Sequence, residues 1–199
     1  VRVIAGKYRS RRLQTLRGTA LRPSSDRLRE TLFNILGATI EGAVFLDLFA
    51  GSGAVGIEAL SRGAQGAIFV ENYAAGAALI SRNLSSLGIP TAVQVASRKT
   101  FAGTAEILRM DAIDALERLA EGGARVDCVF ADPPYEKMRV YEVVLEFLGQ
   151  SELLSRSGCV IAEHRRNSEL PAIAGRLERT RVVQQGDTAL SFYKPIWAA

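Results

Sequence analysis

From residue 44 to residue 163, dense apolar blocks alternate with stretches of helical period. Residues 44–49 carry five apolar side chains in six, the density of a strand buried on both faces. A glycine turn follows, and Val55, Ile57, Ala59 and Leu60 then open a helix over about 54–62. Residues 67–70 predict a second buried strand ending at Glu71. Ala78, Leu79, Leu84 and Leu87 mark the inner face of a helix over about 74–87, stopped by Gly88 and Pro90. Two runs, 92–95 and 107–110, compete for the next strand. The second fits better because Asp111 then opens a helix over 112–119, which leaves 91–104 as an inserted excursion. Strand 126–131, helix 140–148 and strand 159–163 complete the series. Such alternation builds an α/β fold with a mostly parallel sheet, covered on both faces, that binds ligands at the carboxyl ends of its strands. Residues 177–183 and 188–193, joined by Gln185-Gly186-Asp187, read instead as a C-terminal antiparallel hairpin. At the front, 2–4 and 11–16 predict a small hairpin around residues 6–10. Pro23-Ser24-Ser25-Asp26 then starts a helix with Leu28, Leu32, Phe33 and Leu36 at helical spacing up to Gly37. The expected organisation is an N-terminal basic arm over 1–22 and one domain over 23–199.

Composition narrows the class. The chain has 199 residues, 48% hydrophobic and 23% charged, enough for one sizeable core. No apolar run approaches a membrane span and residues 1–7 lack the apolar core of a signal peptide, so the expected location is the cytoplasm. Cys128 and Cys159 lie within apolar runs and read as buried thiols. Together with a single histidine, His164, they are too few for a structural zinc site, and no metal is expected. His164 itself reads as structural.

The net charge of +4 is unevenly spread. Residues 1–30 hold nine basic side chains against two acids, whereas the rest of the chain holds 16 against 19. A basic front on a mildly acidic body suits a polyanion, because each phosphate neutralised releases counterions. A solvated basic tail is the bland alternative. Arg9, Arg11 and Arg12 are the candidates for phosphate contact.

The chemistry centres on the turn after the first buried strand. Gly51 and Gly53 can take backbone angles closed to other residues and let a ligand approach the main chain. Gly51-Ser52-Gly53-Ala54-Val55-Gly56 fits the dinucleotide pattern, with Glu71 where an acid would meet a ribose, so a nicotinamide cofactor and S-adenosylmethionine both fit. Asp47 tilts the choice. An acid inside an apolar strand is costly unless a cation or hydrogen-bond donor meets it, and the ammonium of a methionine moiety would do so. The alternative is that Asp47 only satisfies the loop backbone. Gly51, Glu71, Asp111 and Asp132 each follow an apolar strand, so all four loops fall on one sheet edge. There Glu71 can accept from ribose hydroxyls and Asp111 from an adenine amine, although Glu71 alone could be solvated and Asp111 alone a helix cap.

Asp132-Pro133-Pro134-Tyr135 is the most specific stretch. Two prolines fix the backbone and remove two N–H donors, which leaves carbonyls to accept and holds Tyr135 at the rim. The Asp132 carboxylate and the Pro133 carbonyl can take both N–H groups of an exocyclic amine, turn its lone pair toward a methyl donor and ease proton loss. Pro134 and Tyr135 would meet the base, Tyr135 by stacking. Guanine and adenine both offer such an amine. Neither cysteine lies in a motif loop, which argues against thiolate-adduct chemistry. A stiffened turn with an Asp cap is the bland reading.

Arg2-Val3-Ile4-Ala5-Gly6, the block from Leu21 to Asn34, Asp47-Leu48-Phe49-Ala50-Gly51-Ser52-Gly53 and Asp132-Pro133-Pro134-Tyr135 together resemble the RsmD family of bacterial 16S ribosomal RNA guanine-N2 methyltransferases. The resemblance spans nearly the whole chain. It implies a Rossmann-like class I adenosylmethionine-dependent fold with seven strands, the terminal hairpin supplying the antiparallel strand. It also implies a substrate guanine, position 966 in customary ribosomal numbering, presented in a loop of an assembling small subunit. Carried over by position, Asp47, Gly51 and Gly53 would hold the methionine part, Glu71 the ribose, Asp111 the adenine, and Asp132 to Tyr135 the guanine. The cofactor would be S-adenosyl-L-methionine and the partner 16S ribosomal RNA, with no membrane and no metal, acting as a monomer. The chain departs from the family at Tyr73, where relatives often carry an acid, and in the length of 91–104. An adenine-N6 methyltransferase of DNA or RNA, an NAD-dependent oxidoreductase and a non-catalytic RNA-binding protein are the rival readings.

Overall fold

Among the described residues, eight strands form a single sheet in the order β3-β2-β1-β4-β5-β8-β7-β6. The computed structural model describes residues 1–15, 26–92, 103–134 and 138–196. Strands β1 (Val44–Asp47), β2 (Gly66–Val70), β3 (Thr104–Leu108), β4 (Val126–Ala131) and β5 (Leu154–Arg165) are parallel. Strands β6 (Ile173–Ala174), β7 (Leu177–Gln185) and β8 (Thr188–Pro195) pair antiparallel, and β8 joins β5. The resemblance implied seven strands with a terminal hairpin, and all seven are among the eight of this sheet. The eighth is the two-residue edge strand β6, too short to leave a periodic signal. The chain runs outward from β1 to β3, then crosses back to place β4 on the other side of β1, so the order reverses between β1 and β4. That reversal opens the crevice in which sheets of this kind bind ligands.

Helices cover both faces because the central strands are apolar on both. Alternate residues Leu46, Ile68 and Val129 pack with α4 (Ala112–Glu121) and α5 (Met138–Gln150). Their neighbours Phe45, Phe69 and Phe130 pack with α1 (Asp26–Leu36), α2 (Ala54–Ser61) and α3 (Ala74–Ser86). Strand β4 and the bounds of α2 and α3 follow the sequence expectation closely. Strand β3 differs: it begins at Thr104 and not at 107, in register with β2, and Thr91 bridges to Ala105. The expected excursion over 91–104 therefore overlaps a strand, and its residues 93–102 lie outside the described part. Strand β5 is far longer than 159–163, because Leu154 already pairs with Val126 of β4, ahead of a register break between Val126 and Cys128. Cys128 and Cys159 face each other across β4 and β5 as buried free thiols, Sγ to Sγ 3.3 Å. No helix among the described residues is long and apolar enough to cross a membrane.

Among its described residues the N-terminal segment is the expected hairpin in reduced form, with an antiparallel bridge between Arg2 and Arg12 in place of two strands and backbone bonds from Val3 N–H to the Arg11 carbonyl (2.9 Å) and from Leu13 N–H to the Val1 carbonyl (3.0 Å). Backbone and side-chain contacts dock it on the rest of the chain. Val3 and Leu13 are buried against α1. Glu58, fully buried in α2, accepts from the N–H groups of Ile4 (2.7 Å) and Ala5 (3.0 Å) and pairs with Arg62 (2.7 Å). Lys7 N–H donates to the Ser61 carbonyl at 2.7 Å and Tyr8 N–H to Ser61 Oγ at 2.9 Å. Gly6 is required here: at φ +79° an added Cβ would lie 1.8 Å from the Ser61 carbonyl oxygen. Arg29, counted at the sequence level in the basic front, is buried. It donates to the Arg2 carbonyl (2.6 Å) and to Asp26 (3.0 Å), with Glu58 at 3.9 Å, so it fastens the segment and offers no charge to solvent. Burial lowers its pKa, and the neighbouring Glu58 and Asp26 oppose that shift.

Candidate active site

The loop after β1 turns through Gly51 (φ +53°) and Gly53 (φ +77°), the left-handed region that glycine enters without strain. Gly56 serves a different need. A Cβ there would lie 2.4 Å from the Phe69 ring, so its absence lets α2 close onto β2. Asp47 ends β1 on the same face, 1% exposed, and its Oδ2 accepts from the Gly56 N–H at 3.0 Å. The backbone bond expected under the bland reading is thus present. It does not compensate the charge: burial, with Glu71 and Glu163 nearby, raises the Asp47 pKa to about 7.

Glu71 follows β2 and folds back on the loop. Its Oε2 accepts from Gly51 N–H and its Oε1 from Tyr73 N–H, both at 2.8 Å. Gly76 makes room for this, since a Cβ there would sit 2.8 Å from the Glu71 carboxyl carbon. The carboxylate therefore rests on the first turn of α3, at the positive end of the helix dipole. A carboxylate has about four acceptor directions, so two backbone bonds leave room for hydroxyl donors. Asp111 caps α4, its Oδ1 accepting from Ile113 N–H at 2.9 Å, and it is otherwise exposed.

Asp132, Pro133 and Pro134 follow β4, next to β1 across the crevice. Asp132 has its pKa raised well above the ordinary value, first by burial and then by the charges of Glu163 and Asp47. Pro133 is buried and Pro134 exposed. Tyr135 lies outside the described residues. Two supporting residues had escaped the sequence reading. Glu163, 4% exposed on β5, adds its charge to the Asp47 and Asp132 pair. Tyr141 of α5 donates to the Glu163 carbonyl at 2.7 Å, with its hydroxyl 3.5 Å from the Pro133 carbonyl, and so ties β5 to the proline turn. An acid within the apolar run 159–163 was the available signal for the first; nothing marked Tyr141.

The structure thus brings Asp47, Gly51, Gly53, Glu71, Asp111, Asp132, Pro133 and Pro134 to one sheet edge. It places Arg9, Arg11 and Arg12 elsewhere. The hairpin tip binds Ser61 at the far end of α2, and Gly63 beyond it bonds to Gly42, just before β1 begins. All three arginines are exposed, with Arg11 donating to the Ser86 carbonyl at 3.0 Å. His164 is structural as expected. Its Nδ1 faces the Arg165 carbonyl (2.8 Å) and must donate, so Nε2 accepts from Ser191 Oγ (2.8 Å), and burial lowers its pKa toward the neutral form. No group of three or more metal-binding side chains occurs among the described residues.

The family described as "Conserved hypothetical protein 95" matches residues 1–194. "Ribosomal RNA small subunit methyltransferase D" of Escherichia coli (strain K12) is 33% identical over 194 residues, covering 98% of this chain and 89% of that protein. The chain belongs to the RsmD family. "Putative rRNA methyltransferase YlbH" of Bacillus subtilis is 36% identical over 194 residues, 98% of each chain. Among solved structures, "Putative methyltransferase yhhF from Escherichia coli" superposes with a TM-score of 0.80 at 33% identity, covering 98% of this chain and 97% of that one. The fold is that of the class I adenosylmethionine-dependent methyltransferases, and this RsmD-family chain is an enzyme of that kind.

Proposed function

We propose that this RsmD-family enzyme transfers a methyl group from S-adenosylmethionine to the exocyclic N2 amine of a guanine in small-subunit ribosomal RNA, acting as a monomer in the cytoplasm. The names of its relatives support the ribosomal RNA substrate. The observation that carries the reaction is the placement of Asp132 and the Pro133 carbonyl across the crevice from Asp47 and the glycine loop.

The cofactor reading is supported by Asp47, a buried carboxylate with one backbone bond and a raised pKa, which suits an ammonium. Gly51 and Gly53 would hold the methionine part, Glu71 the ribose and Asp111 the adenine. Bound there, S-adenosylmethionine supplies a methyl group already activated on a sulfonium. The residues of the chain do the rest. Asp132 and the Pro133 carbonyl accept the two N–H groups of the amine and turn its lone pair into the crevice. A carboxylate whose pKa is raised is also a stronger proton acceptor, so Asp132 can take the proton released as the new N–C bond forms. Pro134 and Tyr135 are assigned to the base plane. Holding the reacting atoms in line supplies much of the rate, and no covalent nucleophile is needed.

The test is transfer of labelled methyl to unmodified small-subunit RNA and to small subunits, followed by nucleoside analysis. Label in N2-methylguanosine is expected, with Asp132→Ala abolishing transfer while RNA binding is kept. Label in N6-methyladenosine would overturn the choice of base.

A further inference from the structure

Asn83 lies on α3 with 1% of its surface exposed, and its amide makes three hydrogen bonds to two distant parts of the chain. Its Oδ1 accepts from the Gln14 N–H at 2.9 Å, and its Nδ2 donates to the Gln14 carbonyl at 3.1 Å. The other Nδ2 hydrogen goes to the Ser52 carbonyl at 2.9 Å. Gln14 belongs to the docked N-terminal segment and Ser52 to the glycine loop, between Gly51 and Gly53. Both flanking glycines have positive φ and little intrinsic preference for one conformation. The Ser52 carbonyl is therefore oriented from outside, by the same planar amide that grips the arm.

We propose that Asn83 is a positioning residue that couples RNA held on the N-terminal arm to the cofactor loop, so that each ligand tightens the binding of the other. An amide plane cannot follow Gln14 without changing what it offers Ser52. An arm fixed by RNA then fixes the loop, and a loop ordered by cofactor fixes the arm. Because such coupling is a free energy, it must be reciprocal. The inference rests on the RNA-methyltransferase reading.

The test measures the dissociation constant of S-adenosylhomocysteine with and without unmodified small-subunit RNA, and of the RNA with and without S-adenosylhomocysteine, on the full chain. Methyl transfer is assayed in the same preparation. The two ratios in the unaltered protein should agree and reach about fivefold or more. Asn83→Ala should bring both ratios to about one. Gln14→Pro removes the arm's N–H donor and leaves Asn83 and Ser52 intact, so it keeps the test decisive where the first variant fails to fold. It too should lower the ratios to about one. Weakened binding of each ligand with the ratios unchanged would make Asn83 merely structural and overturn the proposal, as would full coupling in Gln14→Pro. No methyl transfer to that RNA, with the ratios intact, would overturn the functional reading and leave the coupling standing.

Discussion

Replacing Asp47 by Asn removes a charge from the floor of the cradle and keeps an acceptor for the Gly56 N–H. The Asp47 carboxyl has its pKa raised from 3.8 to about 7, so the folded chain binds this proton more tightly than the unfolded chain. The sign follows from that. The stabilisation is complete below 3.8, declines as pH rises and is gone above about 7. At about 1.4 kcal/mol per unit, the ceiling is about 4 kcal/mol. Unfolding by denaturant should therefore show Asp47→Asn more stable than the unaltered protein at pH 8, by up to that amount, with the difference vanishing toward pH 4. Cofactor binding should move the other way. An ammonium beside Asp47 favours the ionised form, so binding of S-adenosylhomocysteine at pH 7 should release about half a proton, and its affinity should fall up to tenfold per unit below pH 7. Calorimetry in buffers of different ionisation enthalpy measures the release, and the difference from Asp47→Asn isolates this residue from Asp132. Equal release in both proteins, or no gain in stability at pH 8, would refute the argument.

Two further outcomes concern the arm. Gly6→Ala forces a side chain against the Ser61 carbonyl at a left-handed φ, and the expected loss is about 2–4 kcal/mol in unfolding free energy; unchanged thermal unfolding would show that the tip does not need its seat. Arg9, Arg11 and Arg12 replaced together by Gln should weaken RNA binding and lower the slope of log affinity against log salt by about 2. Unchanged affinity and slope would remove the arm from the RNA interface.

The parts of the fold that were legible are those in which burial is dense and local. Strand β4 (Val126–Ala131) has four fully buried residues at its end and was bounded correctly from pattern alone. Strand β3 was displaced because it is the sheet edge and includes Thr104 and Glu106, so its apolar density is diluted and the run at 107–110 gave the stronger signal. The first residues of β5 include exposed Arg156 and Ser157, which fall in the register break between the Leu154–Val126 and Cys159–Cys128 pairs, so no hydrophobic block announces them. At the site, the acids were legible because a parallel sheet puts every strand end on one edge. Position after a strand therefore carries spatial information.

The arm was legible as charge and illegible as structure. Its anchoring pairs, Ile4 and Ala5 with Glu58, Tyr8 with Ser61 and Gln14 with Asn83, are separated by 53 to 69 residues, and nothing local marks them as partners. One clue was present: Glu58 is the single charge in α2, a helix in which every residue is buried, and such a charge requires partners. Arg29 supplies the corresponding caution. A count of basic side chains treats it as available to a polyanion, yet its guanidinium is buried, with Nη2 bonded to the Arg2 carbonyl and Asp26 and Glu58 at 3.9 Å. With the hairpin tip seated at the far end of α2 and Asp132 at the carboxyl edge of the sheet, an RNA that touches both must extend along the height of the domain. A single nucleotide in the crevice cannot engage Arg9, and the arm's contribution to affinity should therefore grow with the length of RNA supplied.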